Sequence, residues 1–397
     1  MTGPGGLDRL RSGFSRFLDA VPGRLHFAAH SHHPWPDVSF GAHAQAWLDA
    51  AAYQDDKWGH VFGSVLPEFQ RHVAGRLGLS DPATIAVAPN THELVVRLLS
   101  CLPTPCRVLT TDAEFHSFSR QIARLEETGA AVVDRITAEP FASLPDRLTA
   151  AATAGGHDLV FFSHVLYDSG FVLPDVPAVV AAVPDPDTFV VVDGYHGYLA
   201  VPTDLSTIES RAFYLAGGYK YAMAGEGAAF LHCPPGYGPR PVDTGWYAGF
   251  SALATGAAGQ VAYADDGSRF LGATFDPSGL YRANAVHRWL DHNDVEVADI
   301  HAHVRALQQR FVTAASAHPA REELVATLMP ADVEHDRGNF LTVRTAVAGG
   351  LDLALARHRV VADHRRDRLR LGFGCYHHDG DVDELWRRLD VALSAAQ

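Results

Sequence analysis

Between residues 80 and 235 the chain alternates apolar, β-branched runs with amphipathic segments, and no other feature constrains its fold as strongly. The runs are Ile85–Pro89, Arg107–Thr111, Ala131–Ile136, Leu159–His164, Phe189–Asp193, Phe213–Ala216 and Ala228–Cys233, and helical patterns such as Thr91–Cys101 and Ser119–Glu127 lie between them. Strands alternating with helices at this spacing predict an α/β fold: an open, mostly parallel, seven-stranded sheet with helices on both faces. Ligands of such sheets bind at the carboxyl ends of the strands, so the chemistry is expected there.

After Gly267 the pattern turns helical, over Leu280–Asp291, Val295–Ala317 and Asp381–Ala395, with short strand patterns at Phe340–Arg344 and Leu369–Phe373. This change predicts an N-terminal segment over 1–40, a large domain over 41–280 and a small α+β domain over 281–397, which the N-terminal segment joins. With 32 Lys+Arg against 46 Asp+Glu, the net charge of −14 lacks the basic footprint of a nucleic-acid binder. A small-molecule partner is expected instead. No stretch reaches the ~18 apolar residues of a membrane span, and Met1–Val21 does not read as a signal peptide. These readings predict a cytoplasmic protein without a membrane partner. Cys101, Cys106, Cys233 and Cys375 read as reduced thiols. The 23 histidines invite a metal reading, centred on His30, His32 and His33. That cluster lies in a loop broken by Pro34 and Pro36, without the spacing of a metal motif, and no metal is expected.

The most informative segment runs from Val190 to Gly227. An apolar run ends in Asp193, a carboxylate that is costly to bury unless it meets a cation. Lys220 follows another apolar run and sits among tyrosines and glycines, where a salt bridge or a Schiff base is its natural use. Asp and Lys together are the pair that pyridoxal 5'-phosphate requires: the carboxylate keeps the pyridine nitrogen protonated and the lysine holds the aldehyde. These two residues taken alone are equally compatible with an ordinary buried carboxylate and a surface lysine. Upstream, Asn90 and Glu93 are spaced as a capping box, and a helix starting there offers backbone N–H groups to a phosphate.

Val192-Asp193-Gly-Tyr-His196, Gly218-Tyr219-Lys220-Tyr221 and Gly245-Trp246 resemble motifs of the fold-type I, class V aminotransferase superfamily, and within it most closely kynureninase. Arg337-Gly338 with Phe340-Leu341, and Val361-Ala-Asp363-His-Arg365 through Leu369-Arg370 to Tyr376 and Asp381, resemble that family's later motifs in the same order. The resemblance implies pyridoxal phosphate held covalently by Lys220, with Asp193 on the pyridine nitrogen and Phe115 on the ring face. Asn90, Thr91 and Tyr219 would take the phosphate, His196 would sit beside the phenolic oxygen or the substrate, and Tyr167 and Asp168 would lie in the loop beneath the cofactor. Trp246 and Thr274 would reach the cofactor of a second subunit, which implies a homodimer with shared sites. Arg370 would bind the substrate carboxylate, with Arg365 or Arg366 as alternatives. His32 and Tyr167 would contact substrate, and Lys220, Tyr167 and His196 would act in catalysis.

Cysteine desulfurases of the superfamily need a mobile cysteine before the carboxylate arginine, and no cysteine lies between Gly267 and Arg370. The resemblance therefore implies kynureninase-like hydrolysis of a Cβ–Cγ bond, releasing alanine from an amino acid. The alternative is a class V aminotransferase or another lyase on the same cofactor; a cofactor-free binding protein of this fold is the remaining reading. Gly217, the Gly272–Pro277 turn and the Gly372–Cys375 segment depart from the kynureninase pattern where substrate is read.

Overall fold

The computed structural model describes residues 7–236, 238, 240–252, 261–330 and 337–396. A two-residue strand, β1 (Leu25–His26), precedes the seven strands of the main sheet: β2 (Ile85–Ala88), β3 (Cys106–Thr111), β4 (Ala131–Ile136), β5 (Leu159–Ser163), β6 (Phe189–Asp193), β7 (Ala212–Ala216) and β8 (Ala229–His232). All seven apolar runs thus become strands, each within two residues of its expected bounds. Their order is β2-β8-β7-β6-β5-β3-β4, with β8 antiparallel to both neighbours and every other pair parallel. β5, β7 and β8 are buried along their whole length, as strands covered on both faces must be.

Parallel registry aligns the carboxyl ends of the central strands. Ser163 pairs with Asp193 and Asp193 with Leu215, so residues that follow these positions open onto one edge. The chain crosses from β3 to the edge strand β4 and returns to β5 on the other side of β3, which leaves a crevice at that edge. The helix Thr91–Leu99 closes one side of it. Asn90 caps that helix by accepting from Glu93 N at 3.0 Å, while the Glu93 carboxylate accepts from Asn90 Nδ2 at 3.3 Å and from Arg97 at 3.0 Å rather than from the Asn90 backbone, so half of the expected capping box forms.

A second, four-stranded antiparallel sheet contains β9 (Leu328–Met329), β10 (Phe340–Arg344), β12 (Asp363–Arg365) and β13 (Arg368–Gly372), in the order β12-β13-β10-β9. Its Leu341 and Leu371 pack with Leu307, Phe311 and Trp386 in a core cluster of their own, where the Trp386 ring stacks on Phe311 at 4.2 Å. The larger cluster covers the main sheet and takes in Leu280, Val286 and Leu290 of the helix Ser278–His292. The N-terminal segment is zipped onto the C-terminal part: β1 pairs in parallel with β11 (Val360–Val361), and Gly372 N donates to Phe27 O at 2.6 Å. The short strands at β1, β9, β11 and β12 and the helix Val38–Tyr53 have no counterpart among the sequence expectations. That helix is rich in alanine and mostly exposed, so it lacks a strong apolar stripe.

Burial in the zipped segment has a consequence for acid stability. His33 is enclosed, and burial lowers its pKa from 6.5 to about 4, opposed by its hydrogen bond to Pro34 O. The unfolded chain therefore takes up the proton first, and stability is lost as pH falls from 6.5 through about 4. Thermal unfolding followed from neutral to mildly acid pH should show this fall in midpoint, and His33→Gln should reduce its slope; an unchanged slope would contradict the assignment.

Candidate active site

The crevice at the strand ends holds a cavity of about 190 Å³, and eight of the residues singled out from sequence line it: Asn90, Thr91, Phe115, Tyr167, Asp193, His196, Tyr219 and Lys220. β6 delivers Asp193 and, three residues on, His196; the loop after β7 delivers Tyr219 and Lys220. That loop can pass so close only because of its glycines. A Cβ on Gly218 would lie 2.5 Å from Gly225 O, and one on Gly217 would meet Tyr195 Oη at 2.3 Å. The departure from the family pattern at Gly217 thus has a steric cause: Tyr195 fills the space that a side chain would need.

Lys220 is only 5% exposed, and its Nζ is hydrogen-bonded with His196 Nε2 at 2.7 Å. Burial lowers the lysine to about 7, opposed by Asp193 and reinforced by Arg370. Burial and the lysine charge hold His196 well below the ordinary imidazole range, so it is neutral at pH 7. His196 Nδ1 is buried without a hydrogen-bond partner. The Lys220 Nζ also lies 4.9 Å from the Phe115 ring centre and 4.6 Å from that of Tyr195. Asp193 is raised by burial, with Tyr195 N and Lys220 opposing. Its hydrogen bond from Tyr195 N at 2.9 Å leaves the carboxylate without a side-chain donor among the described residues. Tyr167 stands edge-on to Phe115, and its hydroxyl lies 3.5 Å from His116 Nε2.

Five expected site residues lie elsewhere. Asp168 does not line the cavity; its carboxylate is bonded by Arg368, which also reaches Glu139 at 3.1 Å. Asp168 thus lies outside the cavity lining, with Oδ2 bonded by Arg368 and Oδ1 buried without a hydrogen-bond partner. Arg370 is buried outside the cavity lining, with Nε and Nη2 on Asp363 at 2.8 and 2.5 Å and Nη1 on Tyr167 O at 2.6 Å. These contacts use three of the five N–H groups of its guanidinium. His32 is exposed beside the site, its ring stacked on Tyr219 at 5.0 Å. Trp246 is 44% exposed and stacks on Tyr247, and Thr274 is exposed near the same tyrosine, both outside the cavity. Among the described residues no group of three metal-ligating side chains forms. His30, from the suspected metal cluster, instead donates to or accepts from Asp363 at 2.9 Å.

Glu114, Ser163, Tyr195 and Asp363 were not picked out from sequence. Glu114 is enclosed under the cavity, accepting from Thr111 Oγ1 at 2.6 Å, Ser163 Oγ at 2.5 Å and Ser163 N at 3.2 Å. The available signal was a polar residue ending each of two apolar strands, at Thr111 and Ser163.

The chain belongs to the aminotransferase class-V family. The family model matches residues 68–385, most of the chain. No curated protein matches the sequence significantly. Similar solved structures include the Escherichia coli cysteine desulfurase CsdA (TM-score 0.79, 16% identity, covering 99% of this chain and all 100% of that one). An apo cysteine desulfurase from Thermococcus onnurineus gives a TM-score of 0.78 at 16% identity over 99% and 100% of the two chains. A lysine-to-alanine mutant of C-DES, with glycine covalently linked to its cofactor, gives 0.77 at 16% identity over 96% and 99%. At this identity the likeness is one of fold, and it agrees with the α/β, fold-type I architecture of a large mostly parallel sheet. No helix is long and apolar enough to cross a membrane.

Pyridoxal phosphate is the cofactor of this family, and the cavity fits it. A buried carboxylate lacking a side-chain donor, a buried near-neutral lysine and the first N–H groups of a capped helix surround one space.

The Glu114 environment gives a prediction about stability. Burial raises its carboxyl from 4.5 to about 7, against the hydrogen bonds of Ser163 and Thr111. Because the folded pKa exceeds the unfolded one, stability is fully present below 4.5 and is lost as pH rises through about 7. Glu114→Gln should remove this loss, worth on the order of 3 kcal/mol, so that denaturant midpoints at pH 8 rise relative to the parent while those at pH 4 change little.

Proposed function

We propose that the chain is a pyridoxal-phosphate enzyme acting on an amino acid, with kynureninase-like hydrolytic cleavage of a Cβ–Cγ bond as its reaction. The observation that carries this reading is the buried Lys220 amine, poised near neutrality at about 7 between His196 and the Phe115 ring. When bound, the cofactor supplies an electron sink that labilises bonds at the amino-acid α-carbon. Lys220 would hold it, and its amine, lowered to about 7 by burial, is matched to moving a proton at the substrate α-carbon. Asp193, at the closed end, provides the charge for the ring nitrogen. Phe115 covers one ring face, and Asn90, Thr91 and Tyr219 hold the phosphate with the helix start behind them.

His196 keeps Nζ oriented and, being neutral, shares its proton without adding a competing charge. Tyr167, beside His116 and raised by burial, serves as the acid or base at the leaving side chain. No thiol takes part: Cys106, Cys233 and Cys375 are buried, Cys101 is half-buried, and none of the four lines the cavity. This favours cleavage without a protein nucleophile over desulfuration by an active-site cysteine. Transamination, or elimination by a lyase, on the same residues is the second reading, and its products differ.

A homodimer with shared sites belongs to this proposal, Trp246 and Thr274 reaching the partner's cofactor. It is supported by exposed apolar side chains in the same segment, Trp246 at 44% and Phe250 at 52%. Sedimentation should give twice the chain mass, and Phe250→Asp should shift it toward the monomer.

The holoenzyme should show a visible Schiff-base absorption that borohydride bleaches, and Lys220→Ala should lack both the band and turnover. Mass analysis after incubation with kynurenine, 3-hydroxykynurenine and a panel of amino acids should find alanine and an anthranilate. A keto acid with aminated cofactor would instead establish transamination, and a colourless chain that takes up no cofactor would defeat both readings.

A further inference from the structure

Arg370 is held from three sides, and two of the holders come from parts of the chain far apart in sequence. Asp363 on β12 is its cross-strand partner on β13, and the pair closes through two hydrogen bonds, Nε to Oδ1 at 2.8 Å and Nη2 to Oδ2 at 2.5 Å. Cross-strand neighbours on one face lie within reach of each other, which lets a short aspartate meet the fork squarely. His30, wholly buried in the zipped N-terminal segment, binds the same Oδ1 through Nε2 at 2.9 Å, and its ring stacks on Phe340 at 5.0 Å. The third holder is the backbone oxygen of Tyr167, which accepts from Nη1 at 2.6 Å, and Tyr167 itself lines the cavity beside Lys220.

A guanidinium has five N–H groups. Three are used by these contacts, which leaves one on Nη1 and one on Nη2 for a ligand. We infer that Asp363 and His30 are positioning residues: they lock the inner edge of Arg370 so that its two remaining N–H groups receive the α-carboxylate of an amino-acid substrate. The inference deepens the proposed function, since it rests on Arg370 being the carboxylate group of that site. A flexible arginine in a buried place would lose rotamer freedom each time a substrate bound, and fixing it beforehand removes that cost from binding. Asp363 stays ionised to do so: burial pushes its carboxyl up, but the bonds from His30 and Arg370 reverse this and hold it well below the usual carboxylate range.

The test compares two ligands that share an amine and differ in the carboxylate, L-alanine and ethylamine, each titrated into the holoenzyme by the change in cofactor absorption. The ratio of their dissociation constants measures carboxylate recognition alone. For Asp363→Asn the ratio should fall about tenfold, with the ethylamine constant within about twofold of the parent. His30→Ala should move the ratio in the same direction, and His30→Gln, which restores a donor to Asp363, should recover most of it. A ratio unchanged in Asp363→Asn, or an equal weakening of both ligands, would overturn the positioning role while leaving Arg370 in place. A ratio unchanged in Arg370→Gln would show instead that the carboxylate binds elsewhere, and the reading on which the inference rests would fall with it.

Discussion

Placing an amine in a dry crevice without a hydrogen-bonded counter-ion is the constraint on which the rest of the structure depends. Burial disfavours the charged form of Lys220, and the contacts around it are those that tolerate either state: a neutral imidazole acceptor and the faces of Phe115, Tyr195 and Tyr219. Asp193 lies close enough to be felt electrostatically, but it does not neutralise the amine by contact. A direct Asp193–Lys220 salt bridge would hold the lysine charged and consume the carboxylate. Separation of the two, enforced by the short turn from Asp193 to His196 and by the glycine loop before Lys220, leaves room for a group that needs both ends. Tyr195 takes part in that separation, since it fills the volume beside Gly217 and presents its ring to Nζ.

The second constraint is mechanical. The small antiparallel sheet must be held against the strand ends of the large one, and the ties are ionic as well as apolar. Arg368 joins Asp168 and Glu139 of the large part, Arg370 joins Tyr167 O, and Phe171 bridges to Arg337. Apart from the Glu139 contact, these ties meet the Tyr167–Phe171 loop. That loop therefore transmits the placement of β13 to the cavity wall, and the N-terminal segment, by pairing with Val360–Val361 and Gly372, fixes β13 from behind. Exposed ion pairs contribute little individually; the buried Arg370 pair matters more because breaking it would leave a charge without its partner.

Much of this was readable from the sequence, for identifiable reasons. Strands buried on both faces must be apolar throughout, so all seven declared themselves. Asp193, His196, Tyr219 and Lys220 stood out because charge and polarity at the end of an apolar run need an explanation. Asp168 shows the converse: proximity in sequence to Tyr167 says nothing about Arg368, two hundred residues away, which bonds its Oδ2. Asp363 was visible only as part of a motif and Glu114 not at all, because His30 in one case and Ser163 in the other, partners distant in sequence, complete their surroundings. The short strands β1 and β11 carry too few residues for a period to register, and they form because the paired segments are brought together by the core beneath Phe27 and Val360.

The division between what is firm and what is proposed follows the architecture. The cofactor end of the cavity is built from strand termini and a helix start, positions that the sheet registry fixes and that motifs preserve. The substrate end is built from Tyr167, Arg370 and the segments after Gly272 and Gly372, where the chain departs from the kynureninase pattern. Cys375 illustrates the difference. It follows the carboxylate arginine by five residues, yet its thiol is buried against Met223 Sδ at 3.7 Å, and burial raises its pKa to about 12. A thiol so placed is neither ionised nor free to reach a leaving group. A fold shared with desulfurases therefore does not bring a free thiol to the cavity; Lys220, His196 and Tyr167 are among the side chains that face it.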